Sequence, residues 1–129
     1  MRVYNKWHSI IKKELKKMNL THPQFVVLTS LAYLSQDSNE VTQVMISKLA
    51  GIDVMTVSQI LNLLEKNDFV KRKEHSRDTR AKAVILNKKG EEVLQKAVPL
   101  VEQIDEIFFE KLDTDEEQFK HFLARLNEE

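Results

Sequence analysis

Cysteine is absent from the 129-residue chain, and glycine and proline occur only twice each. Without cysteine there is no disulfide framework, no thiolate zinc site and no thiol redox switch. Two glycines, Gly51 and Gly90, cannot build a dinucleotide fingerprint or a phosphate-cradling loop, since both motifs need glycines at close fixed spacings. No apolar run reaches the roughly 18 residues that a membrane-crossing helix needs. The N-terminus lacks the apolar core of a signal peptide, so the expected location is a reduced cytoplasm. Catalytic patterns are missing as well, with no nucleophile motif and no carboxylate pair in a recognisable context. The expectation is therefore no enzymatic activity and no cofactor. His8, His22, His75 and His121 show no ligand spacing along a helix, and no metal is expected.

Net charge is zero, 20 basic against 20 acidic side chains, yet the charges fall in blocks. Residues 1–18 carry six Lys or Arg against Glu14 alone. Residues 42–82 carry eight basic side chains against five acids, and residues 101–129 carry ten acids against three basic ones. Overall neutrality argues against a general coat of nucleic-acid affinity. A local basic surface balanced by an acidic end remains compatible with a DNA reader.

Helical periodicity dominates the pattern. Val3, Tyr4, Trp7, Ile10, Ile11, Leu15 and Met18 form one apolar stripe with lysines opposite. Thr21 is placed to cap a second helix with Pro23 in its first turn. That helix carries Phe25, Val26, Val27, Leu28, Leu31, Ala32, Tyr33 and Leu34, apolar on most sides, so it belongs in the middle of the fold. After a polar loop at residues 36–39, a short helix over 42–50 ends at Gly51, which supplies a left-handed cap. Asp53 caps the next helix, which runs to about Lys66 with Val57, Ile60, Leu61 and Leu64 inward. Two short helices around a tight glycine-containing turn suggest a helix-turn-helix.

The period then changes to two. Residues 69–74 and 81–86 read as strands with Val70, Val84 and Leu86 inward, joined by the charged loop His75-Ser76-Arg77-Asp78-Thr79-Arg80. Asn87 is placed to cap a long helix to Leu112, which Pro99 should kink or break. Thr114-Asp115-Glu116-Glu117 reads as a capping box for a last helix with Phe119, Phe122, Leu123 and Leu126. The expected fold is mainly α with a small β-hairpin, a winged helix-turn-helix in a single domain.

These residues resemble the MarR family of bacterial transcription regulators. The likeness rests on Leu20-Thr21-x-x-Gln24-Phe25, Thr56-Val57-Ser58, Leu64-Glu65-Lys66, Phe69-Val70-x-Arg72, Asp78-x-Arg80 and Leu86-Asn87-x-x-Gly90, in that order. It covers about residues 20–126. Departures are Gln59 where the family often has Arg, Asp68 where it has Gly, and Asn87 where it has Thr. The resemblance implies a DNA-binding lobe at about 21–86 and a dimerisation lobe at about 1–20 and 87–129. It also implies a ligand-responsive repressor whose effector is a small molecule, often phenolic or anionic, though no residue here identifies one.

Taking Val57 as the core-facing centre and stepping about 100° per residue puts Met55, Gln59, Asn62 and Lys66 on the outer face of the recognition helix, flanked by Thr56 and Ser58. That face is polar, small and nearly free of acids. Gln59 and Asn62 can pair with adenine edges, Thr56 and Ser58 can bond phosphate or base, and Met55 can touch a thymine methyl. From the resemblance, Arg80 reaches a narrow minor groove, where negative potential concentrates. Asp78 then orients a neighbouring arginine, with Arg72 the best-placed partner, and Arg77, with Lys73, contacts phosphates.

The amphipathic end helices have no sheet to cover them, so burial against a second copy is the reading that fits their apolar stripes. Such a homodimer would set two recognition helices about one DNA turn apart on a pseudo-palindromic operator. The rival reading is a winged helix that docks a protein through its acidic lobe and binds no DNA.

Overall fold

Thr21 opens the helix around which the other elements are arranged. Its hydroxyl accepts from the Gln24 N–H at 3.2 Å, and the Gln24 side chain accepts from the Thr21 N–H at 3.0 Å. This reciprocal box satisfies backbone donors that the helix start would otherwise leave open. Pro23 fits the first turn, where no helical N–H bond is needed.

The computed structural model describes residues 2–77 and 81–127. In chain order the elements are α1 (Arg2–Lys16), α2 (His22–Leu34), β1 (Val41–Thr42), α3 (Gln43–Ala50), α4 (Val54–Lys66), β2 (Val70–Glu74), β3 (Lys82–Leu86), α5 (Lys88–Phe109), a 3-10 helix (Glu110–Asp115) and α6 (Glu116–Leu126). Helix α2 packs against α3, α4 and α5, as its all-round apolar composition requires. Phe25, Val27, Leu28 and Leu31 of α2 meet Ile46, Val57, Leu61 and Leu64 in one core with Val70 and Val84 of the strands. Burying each such side chain is worth about 1.5–3 kcal/mol, so the core, rather than local propensity, holds the short helices in place.

Helices α3 and α4 meet at 111° across Gly51, whose φ of 69° gives the left-handed cap expected there. Asp53 caps α4 by accepting the Thr56 N–H at 3.2 Å. The strands form an antiparallel sheet in the order β1-β3-β2, with Val70 opposite Leu86 and Arg72 opposite Val84. The wing is thus a three-stranded sheet rather than a bare hairpin. β1 is only two residues long, Val41 and Thr42 against Val84 and Ala83, too short to show a period of two.

Three other expectations need correction. Helix α5 continues through Pro99 without a break and yields to the 3-10 helix at Glu110, short of Leu112. Asn87 occupies the α5 cap position in extended conformation, but its side chain makes no cap bond, being taken up by Asp68. The α6 start expected at Thr114 is shifted, with Asp115 rather than Thr114 at the cap position. The backbone is already helical at Asp115, which sits at the α6 cap position without a side-chain bond, whereas a capping residue needs extended backbone.

α1 buries only Ile11 and Leu15 fully, while Val3, Tyr4 and Ile10 stay exposed. On α6, Phe119, Phe122, Leu123 and Leu126 are all exposed, Leu126 at 83%. No single helix among the described residues is long and apolar enough to cross a membrane.

Candidate nucleic-acid interface

Because Val57, Ile60, Leu61 and Leu64 are pulled into the core, the opposite face of α4 is turned out. Met55 is 72% exposed, Thr56, Gln59, Asn62 and Lys66 are exposed, and Ser58 is half-buried. The helix wheel therefore places these residues correctly. Thr56 has a second task, since its hydroxyl lies 3.4 Å from the carboxylate of the cap residue Asp53. Leu63, at 52%, is also exposed beside this face.

Between α3, α4 and the wing lies a concavity of about 450 Å³, lined by Thr42, Gln43, Val44, Val54, Ser58, Arg72, Ala81 and Lys82. Arg72 is its organising cation. Projecting from β2, the guanidinium donates to Gln43 Oε1 at 3.0 Å, to Glu65 Oε1 at 3.1 Å and to Asn62 Oδ1. The Arg72 N–H also donates to Glu65 Oε2 at 3.2 Å, so one carboxylate grips both the backbone and the side chain of the strand. Only 14% of the Arg72 side chain is exposed. Hydrogen bonding from Arg72, reinforced by its charge, holds the Glu65 carboxyl below the usual carboxylate range. The one acid of α4 is thereby paired with a cation.

Gln43 was not singled out from the sequence, and Glu65 was read only as part of Leu64-Glu65-Lys66, with no role of its own. Glu65 lies three residues after Asn62 on α4, but which of them faced the strand depends on how the hairpin docks. Gln43 joins them only through the crossing of α3 and α4. Arg72, the arginine expected to be oriented by Asp78, holds these three side chains. Asp78 and Arg80 lie outside the described residues.

The base of the wing is tied down from the other side. Glu40, just before β1, pairs with His75 at 2.9 Å and accepts the Ser76 N–H at 3.2 Å. Its carboxyl is lowered first by the bond to Ser76, with His75 and Lys73 adding to it. Arg77 is exposed, and its N–H donates to His75 Nδ1 at 3.1 Å. Lys73 and Lys82 are exposed on the strands. The result is a polar helix face beside a basic, anchored wing.

A separate cluster lies where α1, α2 and α5 meet. Trp7 donates to Asp105 at 2.8 Å, and the His8 and His22 rings stand 5.2 Å apart, with Tyr4 stacked on His8. Burial, and then the neighbouring His8, lower the His22 pKa, with Asp105 opposing. Among the described residues no three His, Asp or Glu side chains converge as a metal site.

Known proteins resemble this arrangement over most of its length. The winged-helix family described as ArnR1-like matches residues 16–104. An uncharacterized HTH-type transcriptional regulator, YdcH of Bacillus subtilis (strain 168), is 36% identical over 103 residues, covering 80% of this chain and 70% of the relative. Among solved structures, Bordetella bronchiseptica BpsR, whose DNA binding is regulated by 6-hydroxynicotinic acid, is 27% identical with a TM-score of 0.79, covering 96% of this chain and 91% of that one. A mutant MarR from E. coli complexed with operator DNA superposes with a TM-score of 0.86 at 22% identity, covering 98% and 89%.

Proposed function

The chain belongs to the ArnR1-like winged-helix family and is related to HTH-type transcriptional regulators, and from that premise we propose that it is a MarR-type regulator that acts in the cytoplasm as a homodimeric, ligand-responsive repressor of a pseudo-palindromic operator. The observation that carries this reading is the outer face of α4. Met55, Thr56, Ser58, Gln59 and Asn62 offer donors, acceptors and a methyl group, and the helix's one acid is neutralised by Arg72. A helix entering the major groove needs that chemistry, because phosphates flank it on both sides. In this reading Arg77 and Arg80 of the wing follow the backbone and the minor groove, with Asp78 orienting the wing tip.

The homodimer is supported by the uncovered apolar side chains of α1 and α6. A monomer would leave Tyr4, Ile10, Phe122 and Leu126 in water together. A two-fold axis through these end helices would set the two α4 helices on successive turns of one DNA face. For the effector, regulation of BpsR by 6-hydroxynicotinic acid supports a small aromatic acid. The Tyr4, Trp7, His8 and His22 cluster beside α5 offers the flat rings and polar edges such a ligand would use. A winged helix that only docks proteins would be favoured by unpaired acids on α4, and its single acid is paired.

The test is binding to the DNA immediately upstream of the chain's own gene at several salt concentrations. Specific, salt-sensitive binding supports the repressor reading. Equal affinity for that DNA and for unrelated DNA at every salt concentration would reject it.

A further inference from the structure

A guanidinium donates hydrogen bonds and accepts none, so whatever faces it must be an acceptor. Arg72 faces two side-chain amides, Asn62 on α4 and Gln43 on α3, and both turn their oxygens to it. The two amide NH₂ groups are the ends left for a ligand. Arg72 is itself fixed by Glu65 through its backbone and its side chain, and it is too covered to reach far into a groove. Asn62, by contrast, is exposed on the same face as Gln59 and Met55.

We propose that Arg72 is a specificity-determining positioning residue: it holds the Asn62 amide with its NH₂ outward, so that Asn62 selects a base edge rich in acceptors, guanine foremost. The inference rests on the DNA-reading function proposed above. A free asparagine pairs with adenine by offering an acceptor to the N6 amino group and a donor to N7 side by side. With the oxygen drawn back to Arg72, an adenine N6 amino group meets a donor instead. Guanine offers N7 and O6, both acceptors, to the same NH₂. Gln43, held in the same sense at the first turn of α3, presents its NH₂ towards phosphate oxygens, which are acceptors too. One arginine thus turns two ambiguous amides into donors. This reverses the adenine expectation for Asn62 drawn from its residue type alone.

The experiment is selection from a randomised duplex pool, followed by base-by-base affinities, using the full chain as wild type, Asn62→Ala, Asn62→Asp and Arg72→Lys. Asn62→Ala locates the base pair that Asn62 reads. Wild type should prefer guanine there by roughly tenfold to a hundredfold, the range of one well-made base contact. Asn62→Asp keeps an oxygen on Arg72 and so keeps the fold, but it removes the donors and should abolish the guanine preference. Arg72→Lys keeps the charge and loses the fork, so the preference should flatten at that position while the position read by Gln59 keeps its own. Adenine preferred by wild type at the Asn62 position would overturn the proposal, as would equal weakening by Arg72→Lys at every position. Both results leave the DNA-reading function standing. A wild-type chain that enriches no sequence at all would overturn that function, and this inference with it.

Discussion

Asn87 donates its side-chain amide to Asp68, to Oδ1 at 3.2 Å and to the backbone carbonyl at 3.3 Å. These are two of the positions at which the chain departs from the MarR pattern, and in space they are partners. Asp68 takes a left-handed conformation, φ 65°, in the turn between α4 and β2, where glycine is the easy choice. Aspartate tolerates that region better than most residues, and its carboxylate here gains a donor from the start of α5. The pair links the turn after α4 to the start of α5.

Asn87→Ala should therefore lower stability by about 0.5–1.5 kcal/mol, the usual net worth of one hydrogen bond. In an Asp68→Gly background the same change should cost less, because the carboxylate is already gone. Urea denaturation of the four variants measures the coupling. Strictly additive losses would show that the two side chains act independently.

Gly90 gives a stronger effect through sterics. A Cβ there would lie 2.3 Å from the Phe69 carbonyl oxygen and 2.8 Å from a Leu86 methyl, while the helical backbone at this position is ordinary. Gly90→Ala should destabilise the chain by about 1–3 kcal/mol through overpacking, although alanine is the better helix former. An unchanged or raised melting temperature would contradict the close approach of α5 to the start of β2.

The elements with strong periodicity were legible in the sequence. α2 stood out because Phe25, Leu28 and Leu31 recur without a polar face, and Gly51 and Asp53 cap as expected, whereas Thr42, read as the first helical residue, caps α3 instead. β1 was not legible, because two residues carry no period and its pairing depends on a strand forty residues later. The α6 start was misplaced because Thr114 looks like a cap only when the preceding chain is extended, and here it is helical. For the candidate site, the outward face of α4 followed from one rotation per residue. The grip of Arg72 on Gln43, Asn62 and Glu65 did not, since it joins three elements whose relative placement the core decides.

His22 predicts a pH dependence of stability. Burial and His8 lower its folded pKa, so folding favours the neutral ring. The corresponding stability is complete above the ordinary histidine value, about pH 6.5, and is lost as the pH falls towards the lowered folded value. Urea midpoints of wild type should drop between about pH 7.5 and 5.5 more than those of His22→Gln. Parallel profiles would mean that protonation of His22 does not oppose the fold.

The end helices predict assembly. Phe122 and Leu126 are exposed on α6, the latter at 83%, and a two-fold partner would cover them. Replacing both by Asp should convert a dimer to a monomer in sedimentation and weaken operator binding, because two linked half-sites become one. A wild-type chain sedimenting as a folded monomer at micromolar concentration would remove the dimer from the mechanism.

Base reading and wing anchoring should separate in binding experiments. Gln59 is exposed on α4 and, among the described residues, makes no side-chain hydrogen bond that would draw its amide inward. Gln59→Ala should therefore relax preference at one or two base pairs per half-site, costing about 1–3 kcal/mol on the preferred base and little elsewhere. Arg80, outside the described residues, follows a wing whose base Glu40 ties to His75 and Ser76. Arg80→Ala should weaken operators with A·T-rich flanks more than those with G·C-rich flanks, because the narrow A·T groove concentrates negative potential. It should also reduce the slope of log affinity against log salt by about one unit per lost contact, about two for a dimer. Gel-shift titrations at three salt concentrations read both effects. An unchanged salt slope for Arg80→Ala would leave sequence recognition to α4 alone and take the wing out of the interface.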